Sequence, residues 1–130
     1  MEKSSLIKGS VLSFFAVIFG ALGAHALKQY LLPEQLAAFE TAVRYQLFHA
    51  LAILILSIVL KNKSSKLLRT SINLFFLGVI LFSGSIYVLT LKSVLAFEQL
   101  RFVGPITPIG GFILILGWLL LIWEGVRMKN

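Results

Sequence analysis

Residues 41–60 read TAVRYQLFHALAILILSIVL, and residues 61–66 follow at once as KNKSSK. From Ala50 to Leu60 the only polar side chain is Ser57, and then Lys61, Lys63 and Lys66 arrive within six positions. A helix rises about 1.5 Å per residue, so this stretch covers about 30 Å, the thickness of a bilayer's hydrocarbon core. An apolar run of that length ending in a basic turn predicts a membrane-spanning helix with its end at the cytoplasmic face.

Three further runs of the same kind flank it. The spans are expected at about 6–27, 41–60, 72–91 and 106–124, with no repeat, linker or low-complexity stretch between them. The expectation is one all-α integral membrane domain over residues 1–130, a four-transmembrane-helix bundle. Composition agrees. Of the 130 residues 58% are apolar and 13% charged, against about 25% charged in a typical soluble domain. The mean hydropathy is +0.95. A water-soluble enzyme, a disordered tail and a nucleic-acid module are excluded, and the pI of 10.1 has no soluble basic face to explain it.

The chain has no Cys, which removes disulfides, thiolate metal sites and thiol nucleophiles. Its carboxylates are Glu2, Glu34, Glu40, Glu98 and Glu124, all near span ends or in loops, so no buried carboxylate relay is expected. No P-loop, dinucleotide fingerprint or zinc-protease motif is present.

Residues 1–26 imitate a signal peptide, with Lys3 and Lys8, an apolar run and Ala24-His25-Ala26 in cleavage-site form. Against that reading, Gly9, Ser13, Ala16, Gly20 and Ala24 recur at helical steps, the pattern by which a membrane helix admits a neighbour's backbone. A retained first helix is the expectation. Gly84, Gly110 and Gly117 are the corresponding packing positions in the later spans. Lys3, Lys8, Lys61, Lys63, Lys66, Arg69, Arg127 and Lys129 lie on the N-terminal side, against Lys28, Arg44, Lys92 and Arg101 on the other. That bias predicts cytoplasmic termini. Trp123 and Tyr87 are expected in interfacial belts on opposite sides.

Between the first two spans, Pro33 reads as a helix start, and Leu36, Phe39, Val43 and Leu47 continue at three- and four-residue steps. This amphipathic segment leads into helix 2, either as one helix or with a bend near Tyr45. Glu40 and Arg44, four apart, are expected to pair. In helix 2, Gln46 and His49 form a polar seam with Ser57 further in, and His25 lies near the outer end of the first span. Arg44, Tyr45, Gln46, His49 and His25 are the candidate polar cluster, facing the bundle because polar groups in lipid need partners. Thr107 is expected to cap a helix starting at Pro108.

The blocks GALGAHALK (20–28), FETAVRYQLFHAL (39–51), FSGSIY (82–87), ITPIGG (106–111) and Gly117-Trp118 together resemble the domain of unknown function 423 family. These are small four-helix membrane proteins of the YgdD/YwdK type, with eukaryotic transmembrane protein 256 as a relative. The resemblance runs in order through nearly the whole chain. It implies a multi-pass bacterial plasma-membrane protein, or a mitochondrial one in eukaryotes, and no established activity.

The functional expectation is a structural or partner-binding membrane component, with lipid and a membrane-protein partner or second copy around it, no nucleic acid and no cofactor. One alternative is a small transporter or lipid- or anion-binding protein using the outward basic rim Lys28, Arg44, Lys92 and Arg101. Another is metal or haem binding through His25 and His49, against which the two residues differ in depth. Catalysis is not expected, since no nucleophile or oxyanion donor accompanies Tyr45, His49 and Glu40.

Overall fold

The computed structural model describes residues 2–95 and 103–129. They form helix α1 (Glu2–Ala24), a single 3-10 turn (Leu27–Gln29), α2 (Pro33–Asn62), α3 (Lys66–Leu95) and α4 (Ile106–Arg127). Each of the four α-helices is long and apolar enough to cross a membrane. The first span is shorter than expected at its outer end. After Ala24 the chain tightens, Leu31 N–H bonds the Leu27 carbonyl, and the buried Leu31 docks against Phe39 and Tyr87.

The amphipathic segment and span two are one continuous helix. Pro33 occupies its first position, where no donor is missed, and the Gln35 side chain accepts the Leu32 N–H at 3.0 Å. At 30 residues each, α2 and α3 are about 45 Å long. They outreach α1 and α4, of 23 and 22 residues. Ser65 starts α3 by accepting the Leu68 N–H. Helix α4 begins at Ile106, two residues before the expected start, so Thr107 is not its cap. Its hydroxyl bonds Ser85 of α3 instead.

Helices α2 and α3 pack on each other at the centre. Helix α1 lies chiefly against α2 and α4 against α3, while α1 meets α3 at few points. The bundle is closed along the α1/α2, α2/α3 and α3/α4 seams and open along α1/α3 and α2/α4. On α2 the buried residues Phe39, Ala42, Gln46, His49, Ile53, Ser57 and Leu60 step by three and four, the spacing of a left-handed helix seam. Their apolar members belong to two clusters stacked along the bundle. One, toward the end that bears the termini, is built on Ile53, Leu68, Ile72, Phe75 and Leu114, the other on Leu31, Phe39, Ala42 and Tyr87.

The small residues settle the seams. A side chain at Gly110 would run into the backbone of Leu81 and Phe82 in α3. One at Gly117 would meet the Phe75 ring at 2.6 Å, and one at Gly9 would meet Leu54 at 2.7 Å. Ala16 is buried, Ser13 acts by size alone with its hydroxyl buried and unbonded, and Gly20 is in ordinary contact with Val43. Two expectations are corrected. Ala24 is exposed, because the stripe steps from Gly20 by three rather than four and Gly23 faces Phe39. Gly84 has nothing within 4 Å of an added side chain, because Ser83 and Ser85 take the faces toward α2 and α4. Gly78, which closes on Leu114 of α4, belongs in the set and was not singled out by the sequence reading.

Candidate functional site

Gln46 and His49 are three residues apart on α2, about 60° around the helix, and that rotation sends them to different neighbours. Gln46 turns to α1 and α3. Its Nε2 donates to the Leu12 carbonyl at 2.8 Å, and its Oε1 accepts the Tyr87 hydroxyl at 2.6 Å. One turn outward, the Ser83 hydroxyl donates to the Ala42 carbonyl at 2.7 Å. His49 turns to α4, where its Nε2 accepts the Trp118 indole N–H at 3.0 Å. Its Nδ1 stands 2.7 Å from the Tyr45 carbonyl.

The Trp118 bond fixes the state of the ring. An indole N–H only donates, so His49 Nε2 carries the lone pair and Nδ1 carries the hydrogen given to Tyr45. His49 is the neutral imidazole, with both nitrogens bonded. Phe75 and Trp118 stand edge-on to it, with centroids 5.2 and 5.8 Å away, and Tyr45 stacks on it at 5.9 Å. The resulting polar layer lies between the two apolar clusters and joins α2 to every other helix. Groups placed there are shielded from water, so each bond removes a penalty that an unpaired amide or hydroxyl would carry.

Of the expected cluster, the structure brings together Tyr45, Gln46 and His49. His25 is not part of it. It is exposed beyond the end of α1, and its neighbour Gly23 packs on Phe39, ten residues before His49 and about 15 Å along α2. The two histidines therefore do not share a ligand position. Arg44 is exposed and donates to Thr41 Oγ1 of its own helix at 3.3 Å rather than pairing with Glu40. Ser57 is buried on the same face, but its hydroxyl bonds the Leu54 carbonyl of its own helix rather than the polar groups around Gln46 and His49. Of the outward rim, Lys28 and Arg44 are exposed, Lys92 is half-buried, and Arg101 lies outside the described residues.

Tyr87, read from sequence as an interfacial belt residue, is buried against Phe19 and Phe39. It and Trp118 are the partners that the sequence reading missed. The signal was the matching depth of Gln46 on α2 and Tyr87 on the antiparallel α3, which needs the helix pairing to be known. Trp123 is exposed on α4 near the end of the bundle that bears the termini.

The end that bears the termini is fastened separately. Lys63 pairs with Glu124 at 3.3 Å, the Ser65 hydroxyl also bonds that carboxylate, and Lys8 ties α1 to α3 through Asn73 Oδ1 at 2.7 Å. Along the open α2/α4 seam lies a cleft of about 360 Å³ walled by Tyr45, His49, Phe82, Leu114 and Trp118, with Gly111 at its edge. A second, of about 310 Å³, lies along α1/α3 over Gln46 and Tyr87.

Comparison with known proteins agrees with the architecture. The family model described as "Protein of unknown function (DUF423)" matches residues 19–111. A UPF0382 membrane protein of Staphylococcus haemolyticus is 40% identical, the match covering 92% of this chain and 93% of the relative. One of Staphylococcus saprophyticus is 39% identical over 92% and 94%, and one of Haemophilus influenzae is 33% identical over 100% and 99%. No solved structure matches. A four-helix membrane chain alike from end to end to these proteins, and matched by that model over most of its length, belongs to the DUF423 (UPF0382) family of membrane proteins.

Proposed function

We propose that the protein is a multi-pass plasma-membrane component with cytoplasmic termini, whose role is structural: it stabilises or assembles with another membrane protein or a second copy. The observation that carries this reading is the use made of the buried polar groups. Gln46 bonds through both amide atoms and His49 through both nitrogens, so their chemistry is committed to holding helices together. Reactive clusters keep a nucleophile, base or ligand atom free for substrate.

The outer faces support a partner. Helix α4 turns Ile109, Phe112, Ile115, Leu119 and Ile122 outward, and α1 turns Phe14, Val17 and Ile18 outward. Large apolar faces on the two flanking helices suit side-by-side packing in the membrane, where van der Waals contact drives association. The test is crosslinking in native membranes at native expression, followed by blue-native electrophoresis. The expected result is a discrete assembly heavier than the 14.4 kDa chain. Only free chain under both treatments would overturn the reading.

A further inference from the structure

We propose that the cleft between α2 and α4 is a binding site for a neutral, flat-ringed lipid carrying carbonyl oxygens on the ring, of the quinone class. The inference goes beyond a structural role and stands whether or not the bundle has a protein partner.

Four features point to that class. The first is access. Helices α2 and α4 face each other through side chains rather than in close backbone contact, so the cleft opens sideways into lipid. The ligand is then a molecule carried by the membrane. The second is charge. None of the described residues lining the cleft is ionic, His49 being neutral through its bond from Trp118, and a dry wall of this kind disfavours an ion. The metal alternative also lacks donors: no group of three His, Cys, Asp or Glu comes together among the described residues.

The third is the shape of the walls. Tyr45 and Phe82 lie with centroids 4.7 Å apart, and Phe75 and Trp118 stand 4.8 Å apart behind and beside His49. Tyr45, Phe82 and Trp118 of these pairs line the cleft, and aromatic walls take another flat ring by offset or edge contact. The fourth is hydrogen bonding. With the Trp118 N–H given to His49 Nε2, the donor left to a ligand is the hydroxyl of Tyr45, which lines the cleft and is part-exposed, and a ring carbonyl is the matching acceptor. The volume of about 360 Å³ accommodates such a head and the start of its tail.

The experiment uses the full chain in nanodiscs of defined phospholipid, with a decyl-tailed benzoquinone as probe. The two tryptophans are Trp118 and Trp123. Trp123→Phe leaves Trp118 as the sole reporter at the cleft, and Trp118→Phe leaves Trp123 as a reporter outside it. The expected result is saturable quenching of Trp118, against quenching of Trp123 that rises only in proportion to the quinone partitioned into the disc. Gly111→Leu, made in the Trp123→Phe chain, fills the cleft edge, where an added side chain meets only ordinary contact with Phe82 at 3.5 Å. It should weaken the saturable phase at least about tenfold while the thermal unfolding midpoint stays close to that of the parent. Proportional quenching at both tryptophans would overturn the proposal. So would equal displacement of the probe by decanol, which has the tail and no ring and would mark the cleft as an acyl-chain groove.

Discussion

The Trp118 indole N–H reaches 3.0 Å across the open α2/α4 seam to His49 Nε2. Neither helix backbone closes on the other there, so this bond and the ring contacts around it hold α4 to α2. Trp118 is part-exposed to lipid while His49 is buried. The bond thus joins a membrane-facing donor to an interior acceptor, and it fixes the imidazole as the neutral form with hydrogen on Nδ1.

The first prediction tests that bond by a double-mutant cycle. Trp118→Phe removes the donor and leaves His49 Nε2 unpaired, whereas His49→Leu leaves the indole N–H unpaired in hydrocarbon. Each should lower stability by about 1–2 kcal/mol, and the double variant should lose less than the sum by about 0.5–1.5 kcal/mol. Unfolding midpoints in mild detergent give the comparison. Strict additivity would mean the two side chains do not interact.

Gln46 offers a sharper ordering. Tyr87→Phe deletes one hydroxyl and leaves Gln46 Oε1 short of one bond, costing about 1 kcal/mol. Gln46→Leu leaves both the Tyr87 hydroxyl without an acceptor and the Leu12 carbonyl without its added donor, so about 2–3 kcal/mol is expected. Detergent melts of the two variants should fall in that order, and the reverse order would remove Gln46 as the hub between α1 and α3.

The number of spans and the small-residue seams were legible in the sequence because both rest on period and length. The stripe on α1 failed only at Ala24, where a step of three instead of four moves the contact to Gly23. The polar cluster was half legible. Gln46 and His49 had to face protein, since an unpaired amide or imidazole in lipid is costly. Their partners depend on how far each helix is shifted along its neighbour, and apolar repeats do not encode that shift. Tyr87 therefore looked interfacial when read on α3 alone, and it became interior once α1 and α2 covered it with Phe19 and Phe39. His25 erred the other way, since the helix ended before it.

The glycines predict a graded series. Gly110→Ala sets a methyl against the backbone of Phe82, which cannot give way by rotation, so α3 and α4 must separate at a cost of about 2–3 kcal/mol. Gly117→Ala and Gly78→Ala meet the side chains of Phe75 and Leu114, which have some freedom to move, and about 1–2 kcal/mol is expected. Gly84→Ala meets open space and should be neutral or slightly stabilising, since alanine is the better helix former. Thermal melts of the four variants decide it, and a loss at Gly84 equal to that at Gly110 would refute the seam assignment.

The orientation is accessible because the chain has no cysteine of its own. Gln29 and Lys129 are exposed at opposite ends of the bundle, since α1 carries the chain from one end to the other and α4 brings it back beside the start of α1. Eight basic residues on the end bearing the termini against four on the other favour the cytoplasm for the termini. A maleimide that does not cross membranes should therefore label Gln29→Cys in intact cells and label Lys129→Cys only after lysis. The opposite pattern would invert the protein in the membrane. Labelling of both in intact cells would mean that the two positions share a side, which the three spans between them, an odd number, do not allow.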